Sequence, residues 1–286
     1  MHFVPGDPIS GNKAMSIEIR KNLEKKYGLD QPVLKQYLYF LGNMAQGDFG
    51  ISFTQQNRSV NDIIESHFPV SAGLGILALI FATAGGVLWG TLAALYRGKV
   101  SDQLIMFGVI LGISVPSFVF AALGQFLLTE LNKYFGYTIL PVAGWGSILH
   151  MLLPALVLGL GTMAFLTRLM RSSLLEVVNQ DYIRTAKAKG LNSFRIFFAH
   201  ELRNGILPVV TYLGPAIAFL TTGGFVVETV FAIPGLGRYF VQATQQLDYT
   251  VIMGLTVFYG AFLVGMVVLV DILYGFIDPR ISLAKS

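Results

Sequence analysis

Residues 184–208 read RTAKAKGLNSFRIFFAHELRNGILP, and they hold the strongest basic cluster of the chain. From Arg168 to Arg203 there are seven Lys or Arg residues and three acidic residues, a surplus of four positive charges that equals the net charge of the whole chain. On both sides of this stretch the sequence is apolar enough to be buried in lipid. The basic stretch therefore connects two apolar segments, and this arrangement determines the fold class.

The whole chain has the composition of a membrane protein. Of its 286 residues, 54% are hydrophobic and only 13% are charged, which is too few charges to cover a soluble globule of this size. Five uncharged runs of 29, 27, 34, 24 and 22 residues each exceed the roughly 20 residues that a helix needs to cross a bilayer. Because these runs are continuous rather than alternating, they predict an all-α polytopic membrane protein. The predicted spans lie near residues 70–95, 104–128, 149–167, 205–227 and 250–270.

The charges between the spans predict the topology. The positive-inside rule places the basic stretch in the cytoplasm. Alternation then puts Arg97, Lys99 and the C-terminal tail with Arg280 and Lys285 on the same side, and residues 1–67 outside. Nothing at the start of the sequence resembles a signal peptide that could export those residues. We therefore expect a sixth, N-terminal span that is missing from this sequence.

This topology divides the chain into an extracytoplasmic segment at 1–67, a transmembrane domain at 68–278 with a cytoplasmic loop at 171–204, and a cytoplasmic tail at 279–286. Two short helices are predicted in the first segment, one from Ser16 to Gly28 and one beginning at Pro32. Their apolar stripes consist of Ile19, Leu23 and Tyr27 in the first helix and Val33, Leu34, Tyr37, Leu38 and Leu41 in the second. The stripes are expected to pack on the outer ends of the spans, with a partner surface as the alternative.

The sequence lacks the residues of most enzyme sites. It has no Cys, its four His residues are dispersed, and no metal site is predicted. No phosphate-binding loop, zinc-protease motif or serine-hydrolase elbow occurs. Glycines such as Gly86 and Gly90 favour close helix packing, with a dedicated hinge as the alternative. The charges nearest the spans fall at span ends, which disfavours a proton relay, and Glu228, Asp271 and Pro116 are candidates for gating or for plain structural roles.

The basic stretch itself is predicted to form two helices around a glycine turn. Asn179 or Asp181 caps the first helix and Gly190 ends it, while Asn192 or Ser193 caps the second, which runs into the span that begins near residue 206. The small side chains of residues 186 and 188 let another backbone approach between exposed cations. Binding of anionic lipid headgroups is the alternative use of such a loop.

The spacing of this loop resembles that of the inner-membrane permease subunits of ATP-binding-cassette importers. Their signature runs Glu-Ala-Ala, three residues, Gly, nine residues and Ile-x-Leu-Pro. Here Arg184 stands in place of the Glu and Arg203 in place of the Pro, and this form of the loop is similar to that of the peptide branch, the oligopeptide, dipeptide and nickel permeases. The resemblance assigns contact with the ATPase to Arg184, Thr185, Ala186, Lys187, Gly190, Leu191, Arg195, His200 and Leu202.

The resemblance extends along the chain. The matching segments are VPGDP at 4–8, GDFGISF at 47–53, FPVSAGLG at 68–75, VPSF at 115–118, ETVFAIPGLGR at 228–238, DYTVIMG at 248–254 and DILYGFIDPRI at 271–281. It implies the permease fold of type I importers in the cytoplasmic membrane of a bacterium or archaeon, with a cytoplasmic C-terminus. It also implies a heterodimer with a second permease, two ATPase subunits that bind ATP and Mg²⁺, an extracytoplasmic peptide-binding protein and contact with lipid. No cofactor in this chain and no nucleic acid are implied.

The function implied by the resemblance is ATP-driven import of peptides, with oligopeptides favoured over dipeptides, nickel or glutathione. A membrane-embedded enzyme or assembly factor that uses the outer segment for catalysis is the alternative from another class. A self-sufficient secondary carrier is disfavoured because no inverted repeat is detectable in the sequence.

Overall fold

The computed structural model describes residues 31–55 and 58–277, and it describes their side chains as far as residue 272. The helix predicted from Ser16 to Gly28, the VPGDP segment and the C-terminal tail lie outside these residues. Within them the regular structure is helical, apart from one isolated β-bridge between Ile51 and Ser59.

The helices follow one another with short connections. In chain order they are α1 Val33–Ala45, α2 Val60–Leu95, α3 Val100–Ser114, α4 Ser117–Phe135, α5 Ile148–Val178, α6 Asp181–Ala188, α7 Ser193–Ile196, the π-helical segment Phe197–Leu202, α8 Arg203–Gly205, α9 Leu207–Thr221, α10 Phe225–Val230, α11 Leu236–Gln245 and α12 Tyr249–Ile277.

Four stretches are long and apolar enough to cross a membrane, namely α2, α5, residues Leu207–Val230 and residues Tyr249–Ile272. The pair of α3 and α4 brings the number to five if it forms one bent span. Counted in this way, the number of spans agrees with the five that the sequence predicts. The span predicted near 149–167 is preceded by a loop, since no helix lies between Phe135 and Ile148.

The second predicted span is not one straight helix. The chain bends by 109° between α3 and α4, at Val115 and Pro116. Val115 is extended, with φ −88° and ψ 126°, because the residue before a proline is disfavoured in the helical conformation. Pro116 itself precedes the first residue of α4, where its missing N–H costs no hydrogen bond. The span predicted near 104–128 therefore consists of two helices joined at a sharp bend.

Helices α2 and α5 cross closely at the centre of the bundle. A Cβ added at Gly90 would lie 2.6 Å from the carbonyl oxygen of Thr167, and one added at Gly159 would lie 2.6 Å from that of Ala78. Only hydrogen atoms fit at these two positions. In lipid, such backbone approach replaces the hydrophobic effect as the source of helix association. The glycines of the spans thus serve the close packing that the sequence predicts.

The connections gather at two opposite ends of α2. At one end, Arg171 of α5 donates two hydrogen bonds to Asp102 of α3, from Nε at 2.7 Å and from Nη2 at 2.8 Å, and Gly98 N donates a third at 2.9 Å. This fork places the loop 96–99 at the same end of the bundle as the loop 179–206, and we call these two loops the basic end. At the other end, residues 52–55 form hydrogen bonds with Tyr239 and Asp248, and we call residues 46–55 and 223–248 the far end.

The predicted helix after Pro32 is present as α1, but it does not pack on the spans. None of its residues is buried, and Leu34 and Leu38 are 71% and 58% exposed. The expectation that its stripe covers the outer ends of the spans is wrong, because these side chains stay exposed.

Candidate functional site

The first half of the basic loop is a short helix closed by a glycine. Helix α6 starts after Gln180, and no side chain caps it, so neither Asn179 nor Asp181 has the predicted role. At its other end Gly190 N donates to Lys187 O at 3.0 Å, and Leu191 N to Ala186 O at 3.3 Å. The φ of Gly190 is +75°, the left-handed conformation that glycine adopts without strain. Nothing lies within 4 Å of a Cβ placed there, so Gly190 is an open position on the surface.

The second half of the loop leads directly into a membrane helix. Asn192 caps α7 by accepting a hydrogen bond from Phe194 N at 3.0 Å, as predicted. The π-helical segment Phe197–Leu202 and α8 follow, and the connecting Ile206 keeps a right-handed helical conformation before α9. Helical backbone therefore runs from Ser193 to Thr221 without an extended residue. Helical backbone alone thus joins α7 to the membrane helix α9.

The two halves are held together by a small apolar core. Ile183, Ala186 and Ile196 are buried against one another, with Leu191 packed beside them. The loop is consequently a folded unit rather than a tether. Ala186 cannot receive another backbone, because its methyl group faces this core. Ala188 and Gly190 are the small residues that remain on the surface.

The outer face of the loop combines cations with aromatic rings. Four cations of this face are exposed, Arg184, Lys187, Lys189 and Arg195. Arg184 forms an ion pair with Asp181 at 3.5 Å. Phe194 is 70% exposed and packs against Phe198, with their ring centroids 4.5 Å apart and the rings tilted by 47°. Exposed aromatic rings among arginines are typical of protein-binding surfaces.

The remaining predicted loop residues lie outside this face or at its edge. Thr185 donates its hydroxyl to Asp181 O at 3.0 Å and so stabilises α6. His200 and Leu202 are half-buried where the π-helical segment meets α5. Arg171 belongs to α5 and pairs with Asp102, so it contributes no free charge to the loop.

Glu228 occupies an environment that the sequence did not reveal. Its carboxyl group is fully buried and accepts hydrogen bonds from Ser71 Oγ at 2.7 Å and from Arg238 N at 2.9 Å. Ser71 Oγ in turn accepts a hydrogen bond from Leu236 N at 2.8 Å. The carboxyl group thereby holds residues 228–238 against α2. Gly223 and Gly235 leave room for it, since a Cβ at either position would meet the carboxyl group.

The other two gating candidates have different surroundings. Asp271 is exposed on α12, and Pro116 lies at the bend between α3 and α4. Neither is in contact with Glu228. The structure therefore does not bring the three candidates together into one site.

A second buried carboxyl group at the far end belongs to Asp248. It accepts hydrogen bonds from Ser52 Oγ, from Thr54 Oγ1 at 2.8 Å and from Val251 N at 3.3 Å. The last of these caps α12, and the others join the segment 47–54 to that helix. The signal for it in the sequence is an Asp just before an apolar run, the pattern of a helix N-cap.

Tyr239 strengthens the same contact. Its hydroxyl donates to Gln55 Oε1 at 2.6 Å, and burial raises its pKa above the ordinary value, which keeps it protonated as a donor. The guanidinium carbon of Arg58 lies 5.4 Å from the centre of its ring. The far end is thus closed by several polar contacts between distant parts of the sequence.

No group of three His, Cys, Asp or Glu residues with the arrangement of a metal site occurs in residues 31–55 and 58–277. The polar contacts at both ends join protein groups to each other.

Comparison with known proteins adds a family to this geometry. The family described as "Binding-protein-dependent transport system inner membrane component" matches residues 86–283, which include the whole basic loop. The dipeptide transport system permease protein of Bacillus subtilis is 46% identical over 286 residues, which are 100% of this chain and 91% of that protein. The oligopeptide transport system permease protein of Haemophilus influenzae is 44% identical over 283 residues, covering 98% of this chain and 91% of that protein.

Solved structures agree with the fold. An inward-facing structure of the MetNI methionine ABC transporter aligns with a TM-score of 0.60 at 16% identity, covering 76% of this chain and 96% of that chain. An amino acid ABC transporter with histidines aligns with a TM-score of 0.55 at 15% identity, covering 75% and 94%. At such identities the likeness concerns the fold, which is the one expected from the sequence.

Proposed function

The chain belongs to the family of binding-protein-dependent transport system inner membrane components, and we propose that it is the permease subunit of an ATP-driven peptide importer. The names of its relatives support peptides as the substrate class, since they include both dipeptide and oligopeptide permeases. Among peptides, we propose oligopeptides as the favoured substrate because of the overall likeness of the motifs to those of oligopeptide permeases. In this function the chain carries no catalytic site.

The observation that carries the proposal is the construction of the basic loop. It is folded around its own core, it presents cations and aromatic rings, and its backbone continues into a membrane helix. Such a unit suits a partner whose conformational change exerts a force on it, because a rigid helix transmits force to the bundle and a tether does not. We propose that this partner is an ATPase subunit, which binds ATP and Mg²⁺.

The remaining partners follow from the same function. A second, homologous permease forms the other half of the pathway and carries the second ATPase subunit. A peptide-binding protein delivers substrate at the far end, and the basic end with the C-terminus faces the cytoplasm. The closed arrangement around Glu228 and Asp248 provides a firm surface for that delivery.

Growth on defined peptides tests this function. A strain deleted for this chain is given a required amino acid only as a tripeptide, as a dipeptide or in free form. We expect the deletion to abolish growth on the tripeptide, to be complemented by the intact chain and to leave growth on the free amino acid unchanged. Loss of growth on the dipeptide alone would reassign the substrate. Normal growth on both peptides would overturn the proposed import.

Purification separates this function from the enzyme alternative. Peptide-stimulated ATP hydrolysis is expected only from the chain together with its ATPase subunits and binding protein. Chemical turnover of a peptide by the chain alone would favour a membrane enzyme instead.

A further inference from the structure

Helix α1 is divided lengthwise into an apolar and a polar half. At 100° per residue, the apolar half covers a continuous arc. The apolar residues are Val33, Leu34, Tyr37, Leu38, Phe40, Leu41, Met44 and Ala45. The opposite arc carries Lys35, Gln36, Tyr39 and Asn43. Three leucines on one side of the apolar arc, Leu34, Leu38 and Leu41, are exposed, and we call these three residues the α1 stripe.

The position of α1 is fixed at the far end of the first long span. Two residues after α1, Gly47 O accepts a hydrogen bond from Asn61 Nδ2 at 2.6 Å. Phe49 N donates to Asn61 Oδ1 at 3.0 Å. Since Asn61 lies in the first turn of α2, the C-terminal end of α1 is held beside the point where that helix leaves the membrane.

The depth of this point follows from the residues of α2. Asp62 and Glu65 are exposed, and the uncharged run starts after His67. From Asn61 to the start of that run is about 10 Å of helix. The polar layer of a bilayer adds about 5–8 Å to each side of the hydrocarbon region. The tethered end of α1 therefore lies close to the outer limit of the headgroups. From this end the helix, about 20 Å long, can reach the headgroup layer.

We propose that α1 lies in the membrane interface at the far end, with the α1 stripe inserted between the lipid headgroups. A charged or polar face opposite a wide apolar face is the pattern of helices that lie in this plane. The helix contains no acidic residue, and its single charge, Lys35, lies on the polar arc next to the boundary, where it can reach lipid phosphates. Tyr37 places an aromatic ring with a hydroxyl at the same level, as interfacial anchors do.

A protein partner fits these observations less well. Docking surfaces combine an apolar centre with a polar rim, whereas the apolar arc of α1 carries no polar side-chain group except the hydroxyl of Tyr37. The tether also keeps lipid permanently adjacent to the α1 stripe, so that insertion needs no second binding event. With the stripe in lipid, the polar arc with Tyr39 and Asn43 faces water. The proposal depends on the chain crossing a membrane and is independent of peptide transport.

Single cysteines test the proposal because the chain has none of its own. The variants Leu38→Cys on the stripe and Asn43→Cys on the polar arc are each labelled with bimane. They are measured in the full-length chain with its partner subunits, in vesicles of phosphatidylethanolamine and phosphatidylglycerol. Fluorescence is quenched with iodide from water and, separately, with lipids that carry a nitroxide near the headgroup. A second pair, Leu41→Cys and Gln46→Cys, repeats the comparison one turn later.

The expected result is quenching of positions 38 and 41 by the nitroxide lipid with loss of quenching by iodide, and the reverse at positions 43 and 46. Iodide quenching of the stripe as strong as that of the polar arc would place the stripe in water and overturn the proposal. Protection of the stripe from both quenchers would overturn it too, since that pattern identifies a covering protein. Labelled variants that retain their partner subunits exclude misfolding as a cause.

Discussion

The buried carboxyl groups of the far end contrast with the exposed cations of the basic loop. At the far end, the carboxyl groups of Glu228 and Asp248 are buried, and each joins segments that are more than a hundred residues apart in the sequence. At the basic end, the cations of the loop are exposed, and Arg184 has only a local partner. Charge at the far end therefore stabilises the protein itself. The exposed cations of the basic loop are available to another molecule.

The largest expected effect is the loss of the Glu228 carboxyl group. Glu228→Ala leaves the donors Ser71 Oγ and Arg238 N without their acceptor, and each buried unsatisfied donor costs about 1–3 kcal/mol. A total of a few kcal/mol is a large part of the 5–15 kcal/mol that stabilises a typical domain. We expect a clear fall in the thermal unfolding temperature of the detergent-solubilised protein and in its yield from membranes.

Asp271→Asn is the matched control, because it also changes a carboxyl group of a span but an exposed one. Its unfolding temperature should equal that of the parent. If Glu228→Ala unfolds at the parental temperature as well, the contrast between the two ends fails, and the buried carboxyl group contributes no stability.

The next effect concerns Gly190 and should appear in transport rather than in stability. A valine at a φ of +75° costs about 1–2 kcal/mol locally, and its side chain projects from the open surface of the loop. Gly190→Val should therefore leave the chain inserted while abolishing peptide uptake and releasing the ATPase subunits. Uptake of labelled peptide and the amount of co-purified ATPase measure the two consequences.

Gly136→Val separates backbone strain from partner contact. Gly136 has a φ of +74° and equally open surroundings, but it follows α4, in a loop whose Gly144 N bonds to Phe231 O at the far end. The same strain there should leave uptake near the parental rate. Equal losses in both variants would mean that strain, and not a surface for the ATPase, explains the role of Gly190.

The same contrast explains what the sequence could predict. Spans, the glycine turn at Gly190 and the cap at Asn192 depend on local composition and on neighbours within a few residues, so they were predictable. The family resemblance, confirmed by the match over residues 86–283, supplied the fold, while the contact of the loop with an ATPase stays a prediction. Even the number of spans required only the count of uncharged runs.

The rest depends on contacts between distant residues. Glu228 meets Ser71 across 157 positions, and Asp248 meets Ser52 across 196, distances over which no periodicity in the sequence gives a signal. The burial of Ala186 needed the positions of Ile183 and Ile196 after folding. The bend at Pro116 had a local signal, but proline alone does not tell a mild kink from a turn of 109°.

The smallest expected effect is that of charge reversal on the exposed face of the basic end. Arg184→Glu places a carboxylate three residues from Asp181 in α6, and exposed pairs of this kind change stability by at most about 1 kcal/mol, so folding should be unaffected. The contribution of such a charge to a partner is mainly to orientation and association rate, and it is screened by salt. We therefore expect slower association of the ATPase at low ionic strength and a difference from the parent that vanishes as salt is added. The family signature has an acidic residue at this position, which also limits the effect to a modest one.

Lys133→Glu is the control: Lys133 forms the same type of exposed pair, with Glu130 at 2.7 Å, in α4 away from the basic end. Association kinetics measured by surface plasmon resonance over a salt series should distinguish Arg184→Glu from the parent and leave Lys133→Glu indistinguishable from it. A salt-independent loss in Arg184→Glu would mean that position 184 acts through shape, and the exposed cations would then be left to the alternative of binding lipid headgroups.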